Sequence, residues 1–165
     1  MEMVQSANKS YLLTGGNMGN RAGYLRDASV NISFFCGKIL RQSSLYETQA
    51  WGKTNQPNFF NQVLLIETTL CAVELMKKIL LIEEKMGRTR NEKYGSRIID
   101  IDILFFNDEM INKPQLVVPH PEIQNRRFAL APMNEIAPDF IHPVLLKNIS
   151  TLLKECGDKL GVKKI

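Results

Sequence analysis

The stretch Ile98-Ile-Asp-Ile-Asp-Ile-Leu-Phe-Phe106 decides how this chain is read. Its residues are β-branched, aromatic or acidic, with no Gly or Pro, and they predict a strand. Side chains alternate along a strand, so Asp100 and Asp102 share one face with Ile98, Leu104 and Phe106. Ile99, Ile101, Ile103 and Phe105 take the other. Two adjacent carboxylates in so apolar a setting repel each other, and each loses hydration. A divalent cation between them removes both penalties. A solvated sheet face with two exposed acids is the plainer alternative, and the strand alone leaves both readings open.

Working outward, the residues just before the strand are basic. Arg88, Arg90, Lys93 and Arg97 fall within ten residues, opposed only by Glu92. Arg126 and Arg127 form a second cluster. Such groups suit phosphate, and arginine forks bind its oxygens in a bidentate way that lysine does not match. Each cluster alone also reads as a solvated loop. The conjunction Gly87-Arg88-x-Arg90 … Gly95-x-Arg97-x-x-Asp100-x-Asp102 is far more specific, because metal and guanidinium groups together neutralise charge in phosphoryl transfer.

Further out, Leu75, Ile79, Ile82 and Met86 recur at helical spacing and are stopped by Gly87. Phe59 to Thr68 reads as a strand, preceded by a loop over 47–58 and a strand near Ile39 to Tyr46. Leu25, Ala28, Ile32 and Phe35 mark an earlier helix ending at Gly37, and Ser10 to Gly15 a first strand. The order strand, helix, strand, strand, helix, strand predicts an α+β fold of the split βαβ, ferredoxin-like kind. Its antiparallel sheet would carry two helices on one face. C-terminal additions follow: a return strand near Met110-Ile111, a loop over Pro119–Arg127, a short helix near Phe128–Ile136 and a last helix near Asn148–Cys156. Leu145, Ile149, Leu152 and Leu153 would form the buried side of that last helix.

The 165 residues suit one domain, 10–165, behind a polar, frayed lead-in at 1–9. The apolar fraction, 44%, is ordinary for a globular protein, and the longest apolar runs fall short of a membrane span. No basic start leads into an apolar stretch, so no secretory signal is read. Cys36, Cys71 and Cys156 form no CxxC pair, which predicts a reducing, cytoplasmic setting and no zinc site. The net charge of +4 is mild, and its placement says more than its size.

The chain resembles the 6-hydroxymethyl-7,8-dihydropterin pyrophosphokinases. The resemblance rests on separated pieces in order: Gly15-x-Asn17-Met18-Gly19, Tyr46-x-Thr48, Gly52, Gln56-Pro57-x-Phe59-x-Asn61, Glu83-x-x-x-Gly87-Arg88-x-Arg90, the Arg97 to Asp102 run, and Pro119-His120 through Asn125-Arg126-x-Phe128. It implies a ferredoxin-like enzyme of folate biosynthesis that moves the β,γ-diphosphate of MgATP onto the pterin hydroxymethyl oxygen and releases AMP. It implies two Mg²⁺ ions held by Asp100 and Asp102, with ATP as co-substrate. Arg88 and Arg97 match catalytic arginines of a closing loop. Arg90, Tyr94, Ile103, His120 and Arg126 match nucleotide contacts. Phe59 and Phe128 match a stacking pair around the pterin, with Thr48, Gln49, Trp51 and Asn61 at its rim. Glu83 matches a family position with no chemical role attached beyond pairing with an arginine. Gln49-Ala50, Tyr94, Leu80 and Gln115 depart from the family's usual residues, which bears on nucleotide affinity rather than on reaction class.

Two rivals share this fold plan. An RNA-recognition module would need a basic-Gly-aromatic stacking run, which is absent, and the two acids would repel a phosphate backbone. A regulatory small-molecule domain would not need paired acids beside three arginines. The partners implied are therefore ATP and the pterin alone, with no nucleic acid or membrane, and a monomeric chain.

Overall fold

The computed structural model describes residues 7–50, 55–88 and 95–165. Trp51, Arg90 and Tyr94, three of the candidate site residues, lie outside them.

The chain runs β1 (Asn8–Gly16), α1 (Arg21–Phe35), β2 (Lys38–Gln42), β3 (Tyr46–Thr48), β4 (Phe59–Thr68), α2 (Ala72–Lys85) and β5 (Asp100–Phe106). It continues through β6 (Ile111–Lys113), β7 (Leu116–Val118), a 3-10 turn at Ile123–Asn125, α3 (Arg127–Ile136), α4 (Ile149–Glu155) and β8 (Val162–Lys164). The main sheet has the order β5-β1-β4-β3-β8, with β2 also paired to β4, and every pairing is antiparallel. This is the expected ferredoxin-like arrangement, with β6 and β7 forming a separate ribbon.

Both faces of the sheet are covered. On one, Leu12, Leu64, Ile66, Ile99, Ile101 and Ile103 meet Leu25, Ala28 and Ile32 of α1 and Leu75, Ile79 and Ile82 of α2. On the other, Leu13, Val63, Leu104 and Phe105 meet Leu130 and Met133 of α3 and Ile149 and Leu152 of α4. The C-terminal additions thus supply the second covering layer. Exposed Leu145 takes no part in it.

Three departures from the sequence reading have local causes. A bulge in β5 lets Ile103 pair with Leu12 and Phe105 with Tyr11, so the alternation slips at Leu104. Phe105 therefore packs with Leu104 on the α3 side, and Phe106 joins Ile103 on the helix side, the reverse of strict alternation. The single strand expected over 39–46 is two, broken at Ser43. Its hydroxyl accepts from Val63 N at 3.0 Å and its carbonyl from Gln62 Nε2 at 2.8 Å. Finally, β1 starts at Asn8, pairing Asn8 and Lys9 of the expected lead-in with Thr68 and Glu67.

Where α2 stops, Gly87 takes φ +89°, a left-handed conformation that side chains disfavour. That turn aims Arg88 back toward the end of β5.

Candidate active site

The β5-β1-β4-β3 register sets four residues side by side: Asp100 faces Gly15, Gly15 faces Asn61, and Asn61 faces Tyr46. Adjacent strands lie ~4.8 Å apart, so Asp100 and Asn61 stand ~10 Å from each other across Gly15. Glycine is needed there, since a Cβ at that position would meet Asn61 Oδ1 at 2.3 Å. The next rung puts Asp102 opposite Leu13. Above these rungs lies a cavity of about 510 Å³.

At the Asn61 end the lining is aromatic and amide-bearing. Phe59 from β4 and Phe128 from α3 line it with Thr48, Gln49 and Asn61. Asn61 and Thr48 are buried polar residues joined by a 2.9 Å bond from Asn61 Nδ2 to Thr48 Oγ1. Edge strand β8 backs this wall. Val162 pairs with Thr48, and the Gln49 N–H donates to the Gly161 carbonyl at 3.3 Å.

At the Asp100 end the lining is charged. Arg97 Nη1 lies 2.9 Å from Asp100 Oδ2, and Arg88 Nη1 lies 2.6 Å from Asp100 Oδ1. Arg88 also pairs with Glu83, a buried carboxylate of α2. The pairing with an arginine expected of Glu83 is thus met by Arg88, whose guanidinium it shares with Asp100. Asp102 stands apart from these pairs. Burial first, then the neighbouring Asp100 charge, push its carboxyl up to about 7, against the pull of Arg126, Arg88 and Arg97.

His120 joins from the loop after β7. Its N–H donates to the carbonyl of the bulged residue Leu104 at 2.9 Å, so the irregularity in β5 seats the loop. Its Nδ1 accepts from Glu122 N at 3.1 Å. Burial, helped by Arg126, lowers its pKa to about 4 against Asp100 and Glu122. The ring is then neutral near pH 7 and carries its proton on Nε2, as a donor.

The structure thus gathers Thr48, Gln49, Phe59, Asn61, Arg88, Arg97, Asp100, Asp102, His120, Arg126 and Phe128 around one cavity. Ile103 does not join them. Its side chain is buried in the core beneath α1 and α2. Arg127 also turns away, donating to Asp158 and to the Cys156 carbonyl. Additional lining comes from Leu13, Gly15 and Ile101, from Met76 and Leu80 of α2, and from Gln115 between β6 and β7. Ile101 and α2 belong to the helix side of the sheet and the two acids to the other. The cavity therefore wraps around β5, the last strand of the sheet on that side.

Among the described residues no group of three or more His, Cys, Asp or Glu side chains is placed to hold a metal. Of the three carboxylates that line the cavity, Glu83 is committed to Arg88, which leaves Asp100 and Asp102. That set still fits Mg²⁺, which keeps several waters and binds through one or two carboxylates plus phosphate oxygens. Burial first, and the Asp100 charge second, disfavour the ionised Asp102, and a bound cation would offset both.

Comparison with known proteins identifies the family. The family model described as 7,8-dihydro-6-hydroxymethylpterin-pyrophosphokinase matches residues 11–138. A 2-amino-4-hydroxy-6-hydroxymethyldihydropteridine pyrophosphokinase of Aquifex aeolicus is 41% identical over 145 residues, 88% of this chain and 90% of that protein. The folic acid synthesis protein fol1 of Pneumocystis carinii is 35% identical over 148 residues, 90% of this chain but 20% of that protein. Among solved structures, the wild-type HPPK-DHPS of Plasmodium falciparum with pterin and p-hydroxybenzoate superposes with a TM-score of 0.74 at 19% identity. It covers 94% of this chain and 42% of that one, so the likeness is one of fold. With the sequence match spanning β1 through α3, the chain belongs to the 7,8-dihydro-6-hydroxymethylpterin-pyrophosphokinase family.

Proposed function

We propose that this protein transfers the β,γ-diphosphate of MgATP to the hydroxymethyl oxygen of 6-hydroxymethyl-7,8-dihydropterin in folate biosynthesis. The observation that carries the reading is the cavity with two chemically distinct ends. Aromatic faces and buried amide and hydroxyl groups suit a flat, amide-edged ring, while acids and arginines ~10 Å away suit phosphates and their metal.

In the reaction the pterin oxygen forms a bond to the β-phosphorus of ATP. The bond from that phosphorus to the oxygen shared with the α-phosphorus breaks, AMP departs, and the hydroxyl proton is released to water. Phe59 and Phe128 hold the ring, and Asn61 and Thr48 read its edge. Arg88 and Arg97 both pair with Asp100. On nucleotide binding they exchange that carboxylate for phosphate oxygens and neutralise the charge that builds on the transferring group. Asp100 and Asp102 are the carboxylates that would hold two Mg²⁺ ions. Bound there, Mg²⁺ supplies charge neutralisation on the phosphates and lowers the pKa of the attacking hydroxyl. His120 donates its Nε2 proton to a phosphate oxygen and, being neutral, does so without titrating near pH 7. Arg126, Arg90 and Tyr94 complete the nucleotide contacts. Trp51 and Gln49 complete those to the pterin, and Ile103 contributes through its backbone at the open edge of β5.

The same reading makes both partners small molecules and the protein a cytoplasmic monomer that engages neither nucleic acid nor membrane. No described helix is long and apolar enough to cross a membrane. The test is product analysis with ATP, Mg²⁺ and the pterin alcohol. AMP and pterin diphosphate should appear in equal amounts, and omission of any one component should abolish both. ADP as the nucleotide product, or AMP formed at the same rate without the pterin, overturns the assignment.

A further inference from the structure

We infer that Asn17 is a positioning residue that couples the ring-binding end of the cavity to Arg97. The inference rests on the reaction proposed above, because it concerns how the two substrates of that reaction sense each other.

Asn17 follows β1 and is almost fully buried, at 3% exposure. Its sequence context predicts only a turn leading into a helix. The helix cap is Asn20 instead, whose Oδ1 accepts from Gly23 N at 3.1 Å. The Asn17 side chain is spent on two other segments. Its Nδ2 donates to the Pro57 carbonyl at 3.0 Å and to Gln56 Oε1 at 2.9 Å. Its Oδ1 accepts from Arg97 N at 2.9 Å, and its own N–H donates to the Arg97 carbonyl at 3.0 Å. A carbonyl only accepts and a backbone N–H only donates, so Pro57 and Arg97 together fix which end of the amide points where.

Arg97 is thus clipped at both of its backbone groups by one residue. Its guanidinium, from that fixed base, reaches Asp100. On the other side, Gln56 and Pro57 lie just before Phe59 and Asn61, which line the ring end. Ser96 Oγ adds a second tie to Gln56 Oε1 at 3.2 Å. The 56–60 segment is also held from α1. Arg21 donates to the Asn58 carbonyl at 2.9 Å and lies 3.8 Å over the Phe60 ring. The approach is too close for a side chain at Gly16, whose Cβ would meet the Ile98 carbonyl at 2.2 Å. The end of β1 is therefore a junction where the strand bearing the ring contacts and the strand bearing the acids are fastened to each other through one buried amide.

A ring seated on Phe59 orders the 56–59 segment, and the amide passes that order to Arg97. A nucleotide that fixes Arg97 does the reverse. Each ligand then meets part of the ordering cost of the other, which is a coupling free energy and is reciprocal.

The test measures the dissociation constant of the pterin alcohol with and without saturating Mg²⁺ and α,β-methylene ATP, by the intrinsic fluorescence of the pterin. In the wild type the nucleotide should tighten pterin binding by ~5-fold or more. In Asn17→Ala that ratio should fall to within ~2-fold of one, while the affinity for each ligand alone changes far less. Gln56→Ala, which cuts the bridge from its outer side, should lower the ratio in the same direction, and it decides the matter if Asn17→Ala fails to melt cooperatively. A residue that merely held the turn would lower stability and both single-ligand affinities without moving the ratio. An unchanged ratio in either folded variant, or a wild-type ratio of one, overturns the inference. Wild-type turnover to AMP alongside an unchanged ratio sinks only the role of Asn17. Absence of pterin binding by the wild type sinks the proposed function itself.

Discussion

Arg97 Nη1 lies 2.9 Å from Asp100 Oδ2, on a carboxylate whose other oxygen is held by Arg88 at 2.6 Å. The arginines proposed to bind phosphate thus pair with a carboxylate proposed to bind metal. Each guanidinium so placed competes with a cation for an Asp100 oxygen. Arg97→Ala uncovers one Asp100 oxygen, and Mn²⁺ affinity measured by electron paramagnetic resonance without nucleotide should rise severalfold. Turnover in the same variant should fall by ~10²-fold or more, as for loss of a group aimed at developing charge. Unaltered Mn²⁺ affinity would contradict that competition.

Asp102 carries a pH signature. Its carboxyl moves from the ordinary 3.8 up to about 7, through burial and the Asp100 charge. Between those values the native state keeps a proton that the unfolded chain has released. Ligand-free stability therefore falls as pH rises through this window, and the penalty is complete above about pH 7. Asp102→Asn removes it. At pH 8 the variant should melt above the wild type by several degrees. The gap should close as the pH approaches 4, and turnover should be lost throughout. Thermal melts across pH check the sign.

Glu83 backs Arg88 from a position that is 3% exposed. Glu83→Ala leaves the guanidinium with one carboxylate fewer in a buried place. It should cost ~1–3 kcal/mol in denaturant unfolding and lower kcat more than it raises KM for ATP. Glu83→Gln keeps a hydrogen-bond acceptor and should recover part of both. A Glu83→Ala enzyme with wild-type stability and kcat would show that the pair is idle.

Leu146 sits far from the cavity in the loop before α4, 75% exposed at φ +57°. A leucine in the left-handed region is strained, and its side chain gains little packing in return. Leu146→Gly should raise stability by about 1 kcal/mol and leave turnover untouched, as a denaturant midpoint and a rate assay would show.

Much of this molecule was legible in its sequence, and the gaps have physical reasons. The acidic strand, both sheet-covering helices and their order follow from apolar periodicity, which burial enforces. The bulge at Leu104 does not, because any of the consecutive apolar residues Ile103 to Phe106 satisfies a buried position and nothing marks where the alternation slips. Strand β8, Val162–Lys164, is too short and too lysine-rich to show a period. At the site, the acids and the arginines before them announced themselves through spacing, whereas Ile103 was a candidate through the resemblance alone, and its side chain packs into the core on the face that alternation gave it. Glu83 and Asn17 act through other residues. Their meaning appears only when α2 and the end of β1 are brought against Arg88 and Arg97, a juxtaposition that spacing along the chain does not encode.

The central claim is that Asp100 and Asp102 hold the cation that arginines then help to deliver with the diphosphate. A crystal structure with α,β-methylene ATP, excess Mg²⁺ and the pterin alcohol tests it most directly. The account predicts cation density bonded to both carboxylates, the guanidinium of Arg97 moved from Asp100 onto phosphate oxygens, and the pterin ring between Phe59 and Phe128. Phosphates bound in the cavity with both carboxylates bare of any cation would contradict it.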